Sequence, residues 1–421
     1  MALLEQKIRR KSFGQVIEQL LFPLFPGTNF SDPTWVSPPR RKMRKLAIQV
    51  RNSGQARLTL KNHREVRCQI ERTQPFTPHE LKIMDCFLDH IERVLKDWRK
   101  PFAKDTAQSF MSEVVSKSIN PSNPQLVLKI ISTLSEWSQQ TYEGDRIVFS
   151  LGISGSRKGG SLHFEDLEDH DFFKVMSNGH DTALIFDDEG LLVSHKIFDD
   201  DYDVSELYSP IRFSKLAAWT KDTENIIISL NRGGEILIFK DGNLCFAKRR
   251  GYWRYFAHES VIKRLTNKAM GRKSSETLRK EIYLTALDVS FAKTGGCIGV
   301  LNARSKPTAI SKGLINDKDL LEKQTTSKSK ALNYLIKNTK FQNLDRLLRL
   351  ELVSIDGATV LDHEGNFLAT GAILSVEGGS SSGGRQAATV AVAKYGLGIK
   401  ISNDGYIKAI NRDKEEIVRL S

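Results

Sequence analysis

Paired cysteines, a long apolar run and a Walker-type phosphate loop are all missing from this chain, and each absence removes a class of protein. Its four cysteines, Cys68, Cys86, Cys245 and Cys297, are scattered without CxxC spacing. That excludes a cysteine zinc site or a disulfide framework and fits a reducing, cytoplasmic compartment. The longest early apolar run, Leu20-Leu21-Phe22-Pro23-Leu24-Phe25, is too short for a bilayer span and is broken by proline. Glu5 and Glu18 do not suit a secretory leader, so no membrane association is expected. The net charge of +13 favours polyanionic partners. Aromatic residues are not interleaved with the basic clusters, so a nucleic-acid-binding reading rests on charge alone.

The 421 residues carry 40% hydrophobic and 27% charged residues, the balance of an ordinary globular protein. At roughly 100–200 residues per domain, two to about four domains are expected. Residues 1–75 form a basic N-terminal segment, with a cluster Pro38-Pro39-Arg40-Arg41-Lys42-Met43-Arg44-Lys45 that reads as a solvated linker. Leu46–Val50 and Ala56–Leu60 suit a hairpin around Asn52-Ser53-Gly54. A helical segment spans 76–142. Thr77-Pro78-His79-Glu80 is a capping box with proline at the first helical position, and Asn123-Pro124 opens another helix.

From 143 to 258 the hydrophobic period shortens to that of strands: Ile147–Ile153, Thr182–Phe186, Leu191–His195, Asn225–Leu230, Glu235–Phe239 and Leu244–Lys248. The loop Gly155-Ser156-Arg157-Lys158-Gly159-Gly160 is cationic but lacks Walker spacing and reads as a surface turn. A linker over 259–274 contains the basic joint Lys268–Lys273. Residues 275–418 alternate helix and strand. Ser274 or Ser275 caps the first helix, a buried strand covers Cys297–Leu301, and helices are expected at Asp317–Glu322 and Ser329–Leu350. The expected fold class is α/β: a C-terminal mixed-sheet domain flanked by helices, preceded by a helical segment and a β-rich domain.

The β-rich domain reads as a degenerate copy of the C-terminal one. His180–Gly190 lies without gaps over Ile355–Gly365, matching Asp181 to Asp356, Ala183 to Ala358 and Asp187-x-Glu189-Gly190 to Asp362-x-Glu364-Gly365. Ser229–Gly234 then falls at a similar distance to Ser402–Gly405. No glycine-serine loop with an arginine stands at the corresponding place of the first copy, which is therefore expected to be structural or regulatory.

The C-terminal stretch carries the chemistry. Gly383-Gly384-Arg385 precedes a helical run from Gln386 to Tyr395. Free N–H groups at a helix start bind phosphate, the glycines permit close approach, and Arg385 adds a bidentate cation. Ser380, Ser381 and Ser382 offer hydroxyls. Asp356 precedes the small pair Gly357-Ala358, where it can hold a divalent metal or assist deprotonation of a hydroxyl. A plain glycine-serine surface loop beside a turn aspartate is the competing reading of these residues.

Residues 280–418 resemble the diadenylate cyclase domain. Gly295-Gly296-Cys297-Ile298-Gly299-Val300 resembles its GALIV strand, Gly313-Leu314-Ile315 the turn that follows, and Asp356-Gly357-Ala358 its DGA motif. Gly383-Gly384-Arg385-Gln386-Ala387-Ala388 falls where the family carries GTRHRAA, and Ile399-Lys400-Ile401-Ser402 resembles its late strand. The RHR triplet is reduced to Arg385-Gln386-Ala387, Ile355 replaces a histidine, and Asn403-Asp404 replaces an acidic pair.

The resemblance implies an enzyme that joins two ATP molecules into cyclic di-AMP with release of pyrophosphate. It implies Asp356 as the catalytic residue and Gly357, Ala358, Ser381, Ser382, Gly383, Gly384, Arg385 and Gln386 as ATP-binding. Mg²⁺ or Mn²⁺ would sit on Asp356, with Asp404 as a second ligand. Two such domains would meet face to face, under control of the N-terminal region. The alternative is a catalytically inactive nucleotide-binding sensor.

Overall fold

The computed structural model describes residues 14–25, 28–31, 34–36, 48–52, 54–62, 64–72, 75–94, 104–155, 160–199, 206–266, 270, 274–375, 383–412 and 416–420. The chain divides into two units, Met1–Tyr208 with Phe213–Ala257, and Ser209–Arg212 with His258–Ser421. Among the described residues the protein is mixed α/β, and no helix is long and apolar enough to cross a membrane.

In the first unit, β1 (Ile48–Asn52), β2 (Gln55–Asn62) and β3 (Arg64–Glu71) form an antiparallel meander, and two short strands, Asn29–Phe30 and Thr34–Val36, pair with β3. Helices α1 (Pro78–Val94), α2 (Lys104–Ile119) and α3 (Pro124–Trp137) follow. The α1 capping box is present: Glu80 accepts from the Thr77 N–H at 2.8 Å and Thr77 Oγ1 accepts from the Glu80 N–H at 3.2 Å. Asn123 caps α3 by accepting from the Leu126 N–H at 3.1 Å. No periodicity announced α2.

The strand-period sequence then yields β4 (Phe149–Ser154), β5 (Thr182–Asp187), β6 (Leu192–Ile197), a short helix α4 (Ser214–Trp219), β7 (Ile226–Leu230), β8 (Ile236–Lys240), β9 (Asn243–Arg249) and β10 (Tyr252–Tyr255). They form a seven-stranded sheet in the order β6-β5-β4-β7-β8-β9-β10. One continuous apolar cluster joins Val16, Leu58, Phe87, Val115, Leu134, Phe149 and Tyr255. It runs through the basic segment, the helices and the β-rich part, which together form one unit.

The second unit contains α5 (His258–Thr266), α6 (Glu276–Ala292), β11 (Gly296–Leu301), α7 (Lys306–Ser311), α8 (Ser327–Ile336), α9 (Arg346–Ser354), β12 (Ala358–Asp362), β13 (Phe367–Ala372), α10 (Gly384–Ala393), β14 (Gly396–Ile401), β15 (Ile407–Ile410) and β16 (Glu416–Leu420). Its six-stranded sheet runs β13-β12-β11-β14-β15-β16. Ser275 is the α6 cap, accepting from the Leu278 N–H at 3.1 Å.

Two expectations fail here. Asp317–Glu322 is turn, because Asn316 Oδ1 accepts from the Lys318 N–H at 3.1 Å and holds an Asx-type bend. The expected helix over Ser329–Leu350 is two helices. Lys337 and Asn338 adopt positive φ (50° and 58°) and end α8, and Asp345 starts α9 by accepting from Leu347 and Leu348 N–H groups.

The segment Ser209–Arg212 is held inside the second unit by a buried ion pair. Asp288 of α6 accepts from Arg346 Nε and Nη2, each at 2.8 Å, and from the Ile211 N–H at 2.7 Å. Arg346 also donates to the Ser209 carbonyl at 2.6 Å. Burial pushes the Asp288 carboxyl up, and the guanidinium opposes it.

The two sheets have the same plan. In each, a central strand pairs parallel with one neighbour (β4 with β5, β11 with β12) and antiparallel with the other (β7, β14), and the remaining pairings are antiparallel. Helices α3 and α6 precede the central strands, and α4 and α10 precede β7 and β14. The aligned turns are built alike. Asp187 Oδ1 accepts from the Glu189 and Leu191 N–H groups at 3.1 and 2.8 Å, and Asp362 Oδ1 from Glu364 and Asn366 at 3.0 and 2.9 Å. Downstream, Gly234 donates to the Asn231 carbonyl at 2.9 Å and Gly405 to that of Ser402 at 2.8 Å.

Candidate functional site

The residues singled out in the second unit converge on one end of its sheet. Gly296 is opposite Ile401 and Ala358 is opposite Ala372, so the starts of β11 and β12 and the ends of β13 and β14 share that edge. Helix α10 begins there too, because its far end turns directly into the opposite end of β14. Thr294-Gly295, Ser354 to Gly357, Gly383 to Arg385 and Asn403-Asp404 thus surround one surface.

Glycine is required at two of these positions. Gly357 has φ +111°, and a Cβ there would lie 2.5 Å from the Gly371 carbonyl carbon and 2.9 Å from the Ala372 nitrogen. This close backbone crossing sets the direction in which Asp356 leaves the sheet. Gly295 has φ +70°, and a Cβ would fall 2.4 Å from Arg385 Nη1. The guanidinium therefore lies where a side chain at 295 would stand. By contrast, among the described residues a Cβ at Gly383 or Gly384 would meet nothing within 4 Å.

Arg385 donates to Asn403 Oδ1 and, at 3.5 Å, to the Thr294 carbonyl. Both acceptors are neutral, and among the described residues Arg385 has no carboxylate partner. Thr294 Oγ1 is 2.7 Å from Ser354 Oγ, which ties the arginine side of the edge to the turn that carries Asp356. Asp356 itself is exposed, and its carboxylate has no hydrogen-bond or ion-pair partner among the described residues. Lys293 reaches the Asp404 carbonyl at 3.4 Å, and Lys328 donates to the Gly371 carbonyl and to Asp319. Thr294, Lys293 and Lys328 carry no motif and were not singled out in the sequence, and Asn403 stood out only as a departure from the family's acidic pair. Only the strand order brings them to this edge.

The other expected residues fall as follows. Gln386 is half-buried, and Ala358 is the first residue of β12, with its side chain in the core, so it offers a ligand only backbone. Ala387 is buried. Asp404 Oδ1 accepts from the Tyr406 N–H at 3.3 Å and is occupied in holding its turn. Ser380, Ser381 and Ser382 lie outside the described residues, as do Ser156–Gly159, Pro38–Lys45, and Lys268, Ala269 and Gly271–Lys273 of the basic joint. Cys297, buried behind α10, is no nucleophile: burial pushes its thiol up to about 11. Among the described residues no cluster of three His, Cys, Asp or Glu side chains is placed to hold a metal ion.

The same edge of the first unit holds the counterpart residues. Asp181 precedes β5 as Asp356 precedes β12, and Lys215 is the second residue of α4 as Arg385 is of α10. The sequence reading assigned no cation to this place, and the structure supplies one. There the two charges meet: Lys215 Nζ is 3.4 Å from Asp181 Oδ1, and His180 Nε2 is 3.2 Å from Asp181 Oδ2. Behind them, Ser177 Oγ accepts from the Ser150 N–H at 2.9 Å, Ser150 Oγ donates to Ser229 Oγ at 2.9 Å, and Ser229 Oγ donates to the Gly179 carbonyl at 2.9 Å. This edge is closed by its own hydrogen bonds.

No protein-family model and no curated protein matches the chain. Among solved structures it is similar to the crystal structure of a hypothetical membrane spanning protein from Bacillus cereus, with 18% identity and a TM-score of 0.23. That match covers 33% of this chain and 61% of the other, and at that score it carries no argument about fold or function.

Proposed function

We propose that the second unit binds ATP at the Asp356–Arg385 edge and acts as a diadenylate cyclase. One observation carries the reading: among the described residues, a carboxylate without a partner at a glycine turn and an arginine without a carboxylate partner stand on the same sheet edge, beside the start of α10. A polyphosphate suits the Gly383–Arg385 side through N–H groups, helix dipole and guanidinium. Asp356 suits a hydroxyl or a divalent metal. Mg²⁺ is commonly held by one or two carboxylates together with substrate phosphates, so a single aspartate here is compatible with Mg²⁺ or Mn²⁺.

In this reading two units face each other, each with one ATP. The 3′-hydroxyl of one ATP attacks the α-phosphorus of the other. An O3′–P bond forms, the bond to pyrophosphate breaks, and Asp356 assists loss of the hydroxyl proton. Repetition with the roles exchanged closes cyclic di-AMP and releases a second pyrophosphate. Positioning and charge neutralisation supply most of the acceleration. The first unit, with its closed edge, serves as the regulatory or structural partner.

Incubation of the full chain with ATP and Mn²⁺, followed by chromatography and mass spectrometry, is expected to yield a cyclic dinucleotide, and Asp356→Asn to abolish it. Absence of product with any nucleotide, under conditions where the protein self-associates, overturns the cyclase reading. A second reading is favoured by Ala387, which places a buried methyl where the family has a cation. It makes the unit a nucleotide-binding sensor: ATP binds, Arg385→Ala weakens binding about tenfold or more, and no turnover occurs.

A further inference from the structure

We propose that copies of this chain associate head to tail, the exposed face of α8 in one copy docking on the segment around Phe172 in the next. Both faces present apolar side chains to solvent, and they carry opposite charge. The first is built on a short 3-10 helix, Asp171–Val175. Phe173 anchors it, buried against Trp137, Phe149, Phe164 and Phe186. Residues i and i+3 of such a helix lie one above the other, so Phe172 and Val175 share a side, and they are 54% and 51% exposed. From Leu162 to Met176 the sequence has five carboxylate residues and one lysine. Two of these carboxylates, Glu165 and Asp169, are exposed and have no ion-pair partner among the described residues.

The second face is on α8. Leu332 and Ile336 pack into a cluster with Leu321 and Leu352, and Thr326 caps the helix by accepting from the Ser329 N–H at 3.1 Å. This leaves Tyr334 and Leu335 outside, 74% and 53% exposed. From Lys323 to Lys340 there are five lysines and no carboxylate residue. Lys323, Lys328 and Lys340 pair with Asp317, Asp319 and Glu364. Lys330, one turn before Tyr334, has no carboxylate partner among the described residues, and neither has Lys337, which lies 5.7 Å from the Tyr334 ring centroid.

Exposed apolar side chains rimmed by charge mark association surfaces. The occupant is a second copy because the complement of each face stands on the same chain. Two unpaired lysines beside Tyr334 and Leu335 match two unpaired carboxylates on the segment that carries Phe172 and Val175. A contact between unlike faces leaves each copy with one face free, so it propagates from copy to copy. Glu165, Asp169, Phe172, Lys330, Tyr334 and Lys337 all lie outside the Asp356–Arg385 edge.

The test is analytical ultracentrifugation of the full chain over a concentration series without nucleotide. It compares wild type with Lys330→Glu/Lys337→Glu, Glu165→Lys/Asp169→Lys and Phe172→Ser, each checked for folding by circular dichroism. Wild type is expected to associate, and less at high salt. Each charge-reversed variant should associate at least tenfold more weakly, because its two faces then carry like charge. An equimolar mixture of the two should recover wild-type association, since every lost attraction is restored between unlike variants. Phe172→Ser should weaken association and leave the melting temperature unchanged.

Wild type that stays monomeric throughout would overturn the proposal. So would association that neither charge reversal alters, which would place the contact elsewhere, and so would a mixture that fails to recover. No nucleotide is present in these measurements, so the cyclase reading stands or falls separately.

Discussion

The two similar sheets treat the same pair of charges in opposite ways. In the first unit the aspartate before β5 and the lysine at the start of α4 neutralise each other, and a serine network seals the edge. In the second, the aspartate before β12 is exposed and the arginine at the start of α10 rests on neutral oxygens. Strand order alone therefore does not make a binding site. What distinguishes the edges is whether their charges are already satisfied within the protein, since an ion pair made internally leaves little for a ligand to gain.

The sharpest way to probe this difference is at the turn that aims the aspartate. Gly357 has positive φ and backbone atoms within 3 Å of any added Cβ, whereas Thr182, at the matching place, needs no such conformation. Gly357→Ala is expected to destabilise the protein by about 3 kcal/mol or more, combining backbone strain with overpacking. Thr182→Ala is expected to cost far less. Chemical denaturation of both variants checks this, and equal losses would contradict the contrast.

Next in size is the opposite end of β12. The Asp362 carboxyl is buried, which works to raise it, but hydrogen bonds from Asn366 and Lys306 prevail and hold it below the usual carboxylate range. A depressed folded value gives stability that is complete above the unfolded value of about 3.9 and is lost as pH falls through the folded one. Asp362→Asn should cost about 1–3 kcal/mol at neutral pH, with the gap to wild type closing in acid. A pH series of melting curves reads this directly, and a gap that persists below about pH 3 would argue against it.

The smallest effect is predicted for the closed edge. Lys215 and Asp181 are partly exposed, so Lys215→Met should change stability by less than about 1 kcal/mol. It should leave ATP affinity unaltered, whereas the equivalent change at Arg385 weakens it. Loss of ATP binding in Lys215→Met would mean that the first unit is not a silent copy.

Much of the fold could be read from the sequence where local chemistry and packing agree. The strands from Phe149 to Arg249 follow the apolar runs, and the caps at Thr77, Asn123 and Ser275 sit where side chains can accept the first helical N–H groups. Helix α2 escaped notice because its apolar residues make only a weak stripe. Asp317–Glu322 was misread because the Asn316 bend competes with helix formation. At the site, Asp356 and Arg385 stand out by their glycine neighbours. Lys215 and Thr294 do not, because their place at the edge comes from strand order that joins residues far apart in the chain.

The clamp around Asp288 bears on how this protein can be dissected. A chain cut to begin at His258 would keep Asp288 and Arg346 but lose the Ile211 N–H and the Ser209 carbonyl that complete their bonding. A buried carboxylate and a half-buried guanidinium would then each lack a neutral partner, in a place where solvent replaces it poorly. The autonomous piece is therefore not the one delimited by the last linker. A stand-alone version of the second unit needs the tetrapeptide Ser209–Arg212 supplied in some form, either grafted ahead of α5 or added as a peptide.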